Sequence, residues 1–293
     1  MTDRVKPAPL KRFAVVAPAR LDSPSAPRHS RGMTELETFA VDLARAAAAV
    51  TLPLFRTDCG EEDKGGPGAF DPVTEADRGA EAAIRKLIAE RYPHHGVIGE
   101  EYGEDRPDAE HVWILDPVDG TRAFVAGLPL WTTLIALRNA GKPTIGVISQ
   151  PYVGELFMGG PSGAVMMARG KTTPIRTRDC PLLTDAVIAT TDPDIFTGAE
   201  LGAWTQVRAA ARLARLGCDA YAYAMLASGR IDLVAETSLK VWDWSALTPV
   251  IEAAGGEVTD WRGDAPSGNG QILAVGDARL RDQALVAFRR AAL

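Results

Sequence analysis

A short apolar run that ends in a turn with two carboxylates constrains this chain more than any other segment. Residues 112–115 (Val-Trp-Ile-Leu) have the length and composition of a buried β-strand. Asp116 and Asp119 follow at once, held three apart by a proline and an Asp-Gly turn signal, so both carboxylates converge at the end of the strand. Two such carboxylates repel each other unless a cation lies between them, and hard oxygen ligands suit Mg²⁺. A plain surface turn is the alternative, because Asp-Pro and Asp-Gly are common in loops.

The composition is that of an ordinary globular protein, and it narrows the classes of function. The 293 residues are 46% hydrophobic and 24% charged, enough for one large domain or two modest ones with a substantial core. A net charge of −6 without a Lys/Arg-rich run argues against nucleic acid as the main partner. Cys59, Cys180 and Cys218 are too far apart for a disulfide framework or a zinc motif, which indicates a reducing cytoplasm. No apolar run reaches the ~18 residues of a membrane span.

Residues 1–32 differ from the remainder of the chain. They are rich in Pro, Arg and Ser and contain one short apolar patch at 13–17, which is too brief and too poorly flanked for a secretory signal. We predict a flexible N-terminal arm; a transit peptide and a true start at Met33 are the alternatives. Residues 33–293 are predicted to form the folded domain, with an α+β half at 33–180 and an α/β half at 181–293.

Hydrophobic periodicity predicts the elements of that domain. The first half is predicted to contain helices at 36–54 and 75–91, loops at 58–70 and 100–110, and strands at 97–99, 112–115, 134–137, 144–148, 155–158, 163–169 and 175–177. The second half is predicted to contain strands at 186–190, 231–235, 258–259 and 271–275 and helices at 198–214, 220–229, 243–254 and 279–292. Strands that alternate with helices favour a layered α/β arrangement.

Further acidic segments accompany the Asp116 turn in a fixed order. They are Asp77 at the end of Asp-Pro-Val-Thr-Glu-Ala-Asp, the pair Glu100-Glu101, Asp219, Glu236, and Asp243 within Trp-Asp-Trp-Ser-Ala. This ordered set resembles the pattern of the inositol monophosphatase superfamily of Mg²⁺-dependent phosphomonoesterases, over about residues 34–290. The resemblance implies a five-layer α-β-α-β-α sandwich of the inositol monophosphatase and fructose-1,6-bisphosphatase type, with the site between its two halves. It also implies a homodimer.

The resemblance assigns ligands for two to three Mg²⁺ ions. One ion would be held by Glu100, Asp116 and the carbonyl of Val118, and a second by Asp116, Asp119 and Asp243; a third, weaker ion would lie near Glu100. Glu101 is expected to stay outside the metal site. Such ions clamp the attacking and leaving oxygens of a phosphoryl transfer.

The resemblance also assigns the groups that act on water and phosphate. Thr121 and Asp77 would orient and deprotonate the water that attacks the phosphorus in line, and the amides of Gly120 and Thr121 would bind phosphate oxygens. The stretch from Gly217 to Tyr221 resembles the Gly-Gly-Asp-Cys-Tyr of the histidinol-phosphate phosphatase branch, with Asp219 and Glu236 as a negative pocket for the alcohol.

The predicted reaction is therefore hydrolysis of L-histidinol phosphate to L-histidinol and phosphate, a step of histidine biosynthesis. Acidic partners favour the ammonium and imidazole of histidinol over a neutral cyclitol. The alternatives are inositol 1-phosphate, another sugar or nucleotide monoester, and an inactive scaffold that keeps the fold. The scaffold would be expected to lack a metal ligand.

Three acidic residues have competing structural interpretations. Asp243 and Asp219 are each placed where an N-cap would be favoured, immediately before a predicted helix. Asp192, in Asp192-Pro193-Asp194, resembles the aspartyl nucleophile of haloacid-dehalogenase phosphatases, but Phe196 stands where that motif has Thr or Val. We therefore interpret this segment as a loop.

Overall fold

The structure is a computed structural model that describes residues 32–58, 60, 62–63 and 72–293. Residues 1–31, which make up nearly all of the predicted arm, lie outside the described residues. So do 64–71, which include most of the predicted loop at 58–70 and the glycine-rich stretch around Lys64.

The first half of the folded part contains three helices and ten strands within the described residues. In chain order these are α1 Glu35–Leu54, β1 Glu62–Asp63, β2 Pro72–Val73, α2 Glu75–Arg91, β3 Gly96–Gly99, β4 Gly103–Asp105, β5 His111–Asp119, α3 Thr121–Val125, β6 Thr132–Asn139, β7 Lys142–Gln150, β8 Glu155–Gly160, β9 Gly163–Ala168 and β10 Lys171–Pro174. Strands β3 to β10 form one sheet in the order β10-β9-β8-β7-β6-β5-β3-β4. Its neighbours are antiparallel except for the parallel pair β3 and β5.

The second half alternates more regularly. It contains, in chain order, β11 Val187–Thr190, α4 Gly198–Ala210, β12 Leu213–Leu216, α5 Asp219–Ala227, β13 Leu233–Leu239, α6 Val241–Ser245, α7 Leu247–Ala253, β14 Glu257–Thr259, β15 Gly270–Val275 and α8 Ala278–Phe288, with 3-10 turns at Leu183–Asp185, Pro193–Ile195 and Arg289–Ala291. Its strands form a second sheet in the order β12-β11-β13-β15-β14. Strand β11 runs parallel to both of its neighbours, and β15 runs antiparallel to both of its own.

Three apolar clusters join these elements into five layers. Side chains of α1 and α2 pack on one face of the large sheet, those of α5 and α7 fill the space between the sheets, and those of α4 and α8 cover the outer face of the small sheet. Along β5, Trp113 and Leu115 face α1 and α2, whereas Val112 and Ile114 face the inter-sheet layer. Both faces of β5 are buried, which explains its uninterrupted apolar run. The predicted α-β-α-β-α sandwich is confirmed.

Helix boundaries follow their caps. Helix α1 begins after Thr34, whose side chain accepts a hydrogen bond from the Glu37 amide, and α2 has the predicted bounds, with Thr74 as N-cap and Asp77 completing a capping box. Each capping box satisfies amides that a helix start leaves without partners. The helix predicted at 243–254 is divided at Ala246, because Pro249 lacks a donor and is accommodated in the first turn of α7.

Several predicted boundaries are wrong. The helix predicted to reach residue 214 ends at Ala210, since the amides of Arg212 and Leu213 donate to the Ala186 carbonyl and the chain continues as edge strand β12. Helical periodicity could not distinguish this alanine-rich stretch from a strand. The predicted acidic loop at 100–110 contains β4, and the strand predicted at 175–177 lies at β10 instead.

Candidate active site

A β-bulge makes the two aspartates of β5 converge. Asp116 pairs with Leu134 and Asp119 with Thr132, so three steps along β5 match two along β6. Residues three apart in a regular strand point to opposite faces, and the extra residue brings both carboxylates to the same side. Pro117 lies inside the bulge, where its missing donor is tolerated.

A second bulge shapes the opposite wall. In β13, Glu236 pairs with Ile272 and Leu239 with Gly270, again with one extra residue. Both strands that carry site carboxylates therefore leave regular pairing where they reach the site, and bulges commonly re-aim side chains beside active sites.

One cavity of about 230 Å³ collects the predicted residues between the sheets. Every predicted site residue except Asp77 lines it: Glu100, Asp116, Val118, Asp119, Gly120, Thr121, Asp219, Glu236 and Asp243. They come from the end of β3, from β5 and α3 in the first half, and from α5, β13 and α6 in the second half. The structure therefore brings the residues that were singled out from the sequence into one cavity. Their individual roles stay predictions.

Burial and mutual repulsion raise the pKa values of the central carboxyl groups. The pKa of Asp116, which is 3% exposed, lies well above its usual range because of burial and then the charges of Glu100 and Asp119. Burial and the charge of Asp219 do the same for Asp119. Burial raises the pKa of Asp243 to about 6, although the amide and charge of Lys240 act against it. A divalent cation relieves the cost of keeping such groups ionised.

Backbone amides fix one oxygen of three of these carboxylates. The Val118 amide donates to Asp116 Oδ1 at 3.1 Å, and the Ala220 amide donates to Asp119 Oδ2 at 2.9 Å, so the start of α5 is attached to β5. The Lys240 amide donates to Asp243 Oδ2 at 2.7 Å.

Neither Asp243 nor Asp219 is the N-cap residue of its helix, so both N-cap interpretations are wrong. Lys240 caps α6 and Asp243 is the third helical residue, while Cys218 precedes α5 and Asp219 is its first residue. A carboxylate in the first turn still interacts favourably with the helix dipole.

The fit of a metal to these residues depends on the nature of the donors. Four carboxylates and the Val118 carbonyl supply hard oxygen atoms of the kind that Mg²⁺ prefers. Within the described ranges, no three His, Cys, Asp or Glu side chains are gathered closely enough to hold an ion by themselves. Mg²⁺ usually keeps several waters and is held by few carboxylates together with substrate phosphate, so the donor set fits the ion in kind and the ligand assignment stays a prediction.

Thr121 connects the cavity to Asp77. Its hydroxyl lies 3.0 Å from the Val118 carbonyl and 3.4 Å from Asp77 Oδ1, so its one proton can be given to either oxygen. Asp77 Oδ2 accepts from the amide and hydroxyl of Thr74 at 2.8 and 2.6 Å. Burial raises the pKa of Asp77, against the hydrogen bonds from Thr74. Asp77 therefore stands behind Thr121, one group away from the cavity.

A glycine permits the close approach of the two walls. Gly120 precedes α3 with a φ of 77°, a conformation that favours glycine. A Cβ atom there would lie 3.0 Å from the Cγ atom of Asp219. The Ala123 and Phe124 amides donate to the Gly120 carbonyl, and the amides before them are the ones that a helix start leaves for a ligand.

Glu81 is a positioning residue that the sequence analysis missed. It lies on α2 with 0% exposure, and its carboxylate accepts from the amides of Glu101 at 2.8 Å and Tyr102 at 3.2 Å. Arg85 pairs with it at 2.7 Å. These bonds hold the chain just after Glu100. A Cβ atom on Gly99 would lie 2.0 Å from Glu81 Oε1. The glycine that precedes Glu100 and Glu101 was therefore the only sequence feature that pointed to a close neighbour at this position.

Replacing Glu81 with Gln is expected to weaken Mg²⁺ binding by about 10- to 100-fold, the usual cost of losing an outer partner of a ligand. The amides of Glu101 and Tyr102 donate to different oxygens, and an amide side chain offers only one acceptor. Calorimetric titration with Mg²⁺ measures the effect, and circular dichroism checks the fold. Glu90→Gln, on the exposed side of the same helix, is the matched control; equal Mg²⁺ affinities for the two variants would contradict a positioning role.

The segment interpreted as a loop forms a short 3-10 turn at Pro193–Ile195. Asp192 caps the 3-10 turn Pro193–Ile195 and accepts from the Asp194 amide at 2.9 Å. Its neighbours Thr191 and Ile195 line the cavity, so this turn contributes a wall.

A five-layer sandwich with a carboxylate-lined cavity between its sheets has the architecture of a metal-dependent phosphatase. Residues 32–291 match the sequence model of the inositol monophosphatase family, and the chain belongs to that family. Members of the family are generally Mg²⁺-dependent. Family and relatives indicate a hydrolase of phosphate monoesters.

The names of the proteins that this chain resembles point to different substrates. The Arabidopsis thaliana protein named bifunctional phosphatase IMPL2, chloroplastic, is 41% identical over 266 residues, 86% of this chain and 75% of that protein. A histidinol-phosphatase of Chlorobaculum parvum is 36% identical over 194 residues, 66% of this chain and 73% of that protein. A solved inositol monophosphatase from Zymomonas mobilis superposes with a TM-score of 0.78 at 38% identity, covering 87% of this chain and 98% of that chain.

None of the helices in the described part of the chain combines the length and the apolar character needed to cross a bilayer.

Proposed function

We propose that the protein hydrolyses L-histidinol phosphate to L-histidinol and phosphate. The observation that carries this proposal is the pair of acidic residues, Asp219 and Glu236, on the wall of the cavity formed by the second half. A negative wall suits an alcohol that bears an ammonium and an imidazole group. The histidinol-phosphatases among the relatives support the same substrate.

The phosphate would lie at the turn between β5 and α3. The amides of Gly120 and Thr121 are oriented by the helix start to bind its oxygens. Mg²⁺, held by Glu100, Asp116, the Val118 carbonyl, Asp119 and Asp243, would neutralise the phosphoryl oxygens and acidify the attacking water.

Proton transfer would run through Thr121 to Asp77. The Thr121 hydroxyl can accept a hydrogen bond from the attacking water while it donates its own proton to Asp77 Oδ1, 3.4 Å away. Burial raises the pKa of Asp77, which makes its carboxylate a stronger base than an exposed aspartate. The residues therefore provide an oriented path for the proton that the water loses.

The alcohol would lie against the second half. The Thr191 amide donates to Glu236 Oε1 at 2.7 Å and orients the carboxyl group. Burial raises the pKa of Glu236 to about 8 and that of Asp219 to about 6, with the Arg122 charge opposing the latter shift. A cationic group of the substrate would favour the ionised form of both carboxyl groups and would be held by them.

One observation favours a neutral alcohol instead. The charge of Arg122 acts on Asp219 and offsets part of the negative potential of the wall. Inositol 1-phosphate is accordingly the second candidate, in line with the name of the Zymomonas mobilis protein. The inactive scaffold is disfavoured, because Glu100, Asp116, Asp119 and Asp243 are all present and line the cavity. A homodimer and a cytoplasmic location stay predictions.

A phosphate-release assay tests the proposal. Histidinol phosphate, inositol 1-phosphate, fructose 1,6-bisphosphate and 3′-phosphoadenosine 5′-phosphate are compared with and without added Mg²⁺. We expect the highest kcat/KM for histidinol phosphate and no turnover after chelation. A much higher value for inositol 1-phosphate would replace the first candidate by the second.

The variant Asp219→Asn is expected to lower kcat/KM for histidinol phosphate by about 10- to 100-fold, the effect of losing a hydrogen bond to a charged group. Asparagine tolerates the φ of 44° at this position, so the substitution removes charge and keeps shape. The internal control is inositol 1-phosphate, whose hydrolysis should fall by only a few-fold. An equal loss for both esters would show that Asp219 does not select the alcohol.

A further inference from the structure

One buried polar group at the cavity has no partner. Tyr223 lies on α5, lines the cavity and is 2% exposed. Its hydroxyl oxygen makes no hydrogen bond to any residue that the structure describes. A buried tyrosine hydroxyl usually finds a partner, and leaving one unsatisfied destabilises the fold. The cavity is the place from which a partner can come.

The position of Tyr223 relates it to the alcohol side of the cavity. It lies four residues after Asp219, the first residue of the same helix, and both residues line the cavity. The acidic side chain that acts most strongly on the phenol is Glu236, followed by Asp119 and Asp243. Tyr223 thus lines the same cavity as Asp219 and Glu236, the two residues assigned to the alcohol.

The phenol is a neutral group that can both donate and accept. Burial, and then these carboxylates, raise the pKa of Tyr223 well above its usual range, so the proton stays on the oxygen. A neutral phenol has one proton to give and lone pairs to accept with. Because the phenol makes no hydrogen bond to Glu236 or to any other described residue, both its proton and its lone pairs are available to a nitrogen or hydroxyl group of the alcohol.

We propose that Tyr223 is a specificity-determining residue whose hydroxyl forms a hydrogen bond with the polar group of the substrate's alcohol part, beside Glu236. This inference rests on the proposed function, since it assigns a further partner within the same pocket. The ligand chemistry is that of a small alcohol with an N–H donor. Such a donor is shared between the Glu236 carboxylate and the phenol oxygen, which adds a directional contact to the charge of Asp219. A site built for such a bond discriminates strongly against analogues that cannot make it.

The test compares Tyr223→Phe with the wild-type protein in the presence of Mg²⁺. Calorimetry measures the binding of L-histidinol and of inorganic phosphate separately, and thermal unfolding measures stability. We expect histidinol to bind about tenfold more weakly or worse, with phosphate affinity unchanged. The melting temperature should be equal or higher, because the hydroxyl that is removed has no partner to lose. A lower melting temperature, or an equal loss for histidinol and phosphate, would overturn the proposal.

Tyr221→Phe is the matched control on the same helix. The Tyr221 hydroxyl donates to Glu155 Oε2 at 2.6 Å, so its removal is expected to lower the melting temperature and to leave the ratio of histidinol to phosphate affinity unchanged. Failure of the proposed function is seen separately, in the wild-type substrate panel. If inositol 1-phosphate is the preferred ester, myo-inositol replaces histidinol as the probe. An alcohol affinity that Tyr223→Phe leaves unchanged then overturns the inference on its own.

Discussion

Replacing Asp119 with Asn is expected to lower kcat by about 10³-fold or more. An ion at a phosphoryl group supplies several kcal/mol of transition-state stabilisation, and about 4 kcal/mol corresponds to a thousandfold in rate. Asp119 belongs to the predicted set for the second ion, and a neutral amide cannot supply its charge. Steady-state phosphate release at saturating Mg²⁺ measures the loss.

The same substitution should leave the fold intact. Asp119 Oδ2 accepts both from the Thr132 hydroxyl at 3.1 Å and from the Ala220 amide at 2.9 Å, and one amide oxygen can accept both bonds. Because burial and neighbouring charge raise the pKa of Asp119, its ionised form destabilises the protein at neutral pH, and a neutral group removes that penalty. In the absence of divalent cations, the melting temperature of Asp119→Asn should therefore equal or exceed that of the wild type.

Asp194→Asn is the control for charge removal near the cavity. Asp194 is exposed, in the turn that resembles an aspartyl nucleophile, and its change should leave kcat within about twofold, as for surface substitutions generally. If Asp194→Asn abolished turnover and Asp119→Asn did not, the metal assignment would be wrong, and a catalytic role for the turn that contains Asp192 would have to be tested with Asp192→Asn.

The sequence predicted the parts of the site whose causes are local. Strand β5 has an uninterrupted apolar run from Val112 to Leu115, Thr74 marks the start of α2, and Asp116-Pro-Val-Asp-Gly combines turn residues with carboxylates within a few positions. Each of these signals is contained in a short window, so periodicity and turn chemistry are sufficient to find it.

The parts that the sequence did not predict depend on distant neighbours. In the sequence, Glu81 cannot be distinguished from other charged residues of a helix. Its role arises only because the chain after β3 turns back towards α2, so that the Glu101 amide donates to the Glu81 carboxylate. In the sequence, Tyr223 is one more residue of the mostly apolar helix α5. Only the tertiary structure brings the charge of Glu236, on β13, close enough to act on its hydroxyl. The first two residues of β12, Leu213 and Ala214, were predicted as helix because the pairing partner of this strand, β11, lies more than twenty residues earlier in the chain. Tertiary contacts of this kind override local propensity.

Two glycines determine how the layer between the sheets lies against the large sheet. Gly146 of β7 and Gly159 of β8 are directly opposite each other in the sheet. A Cβ atom on Gly146 would lie 2.0 Å from the Ala246 carbonyl oxygen, and one on Gly159 would lie 2.3 Å from the Cα atom of Val250. Both neighbours are backbone, so no side chain can rotate away. Ala246 joins α6 to α7, and α6 carries Asp243.

Gly146→Ala is therefore expected to destabilise the protein by about 3 kcal/mol, the upper part of the range for overpacking, or roughly 6 to 12 °C in Tm. Relief of the clash requires the α6–α7 junction to move away from β7, which displaces Asp243 from the cavity and lowers kcat in the molecules that remain folded. Thermal unfolding and the phosphate-release assay measure the two effects. Gly202→Ala is the control, because Gly202 lies in α4 with nothing within 4 Å of an added Cβ atom, and alanine there should stabilise the helix by about 0.5 to 1 kcal/mol. A Gly146→Ala variant as stable and active as the wild type would show that the two layers are not locked at this contact, and that Asp243 is positioned by the β13–α6 turn alone.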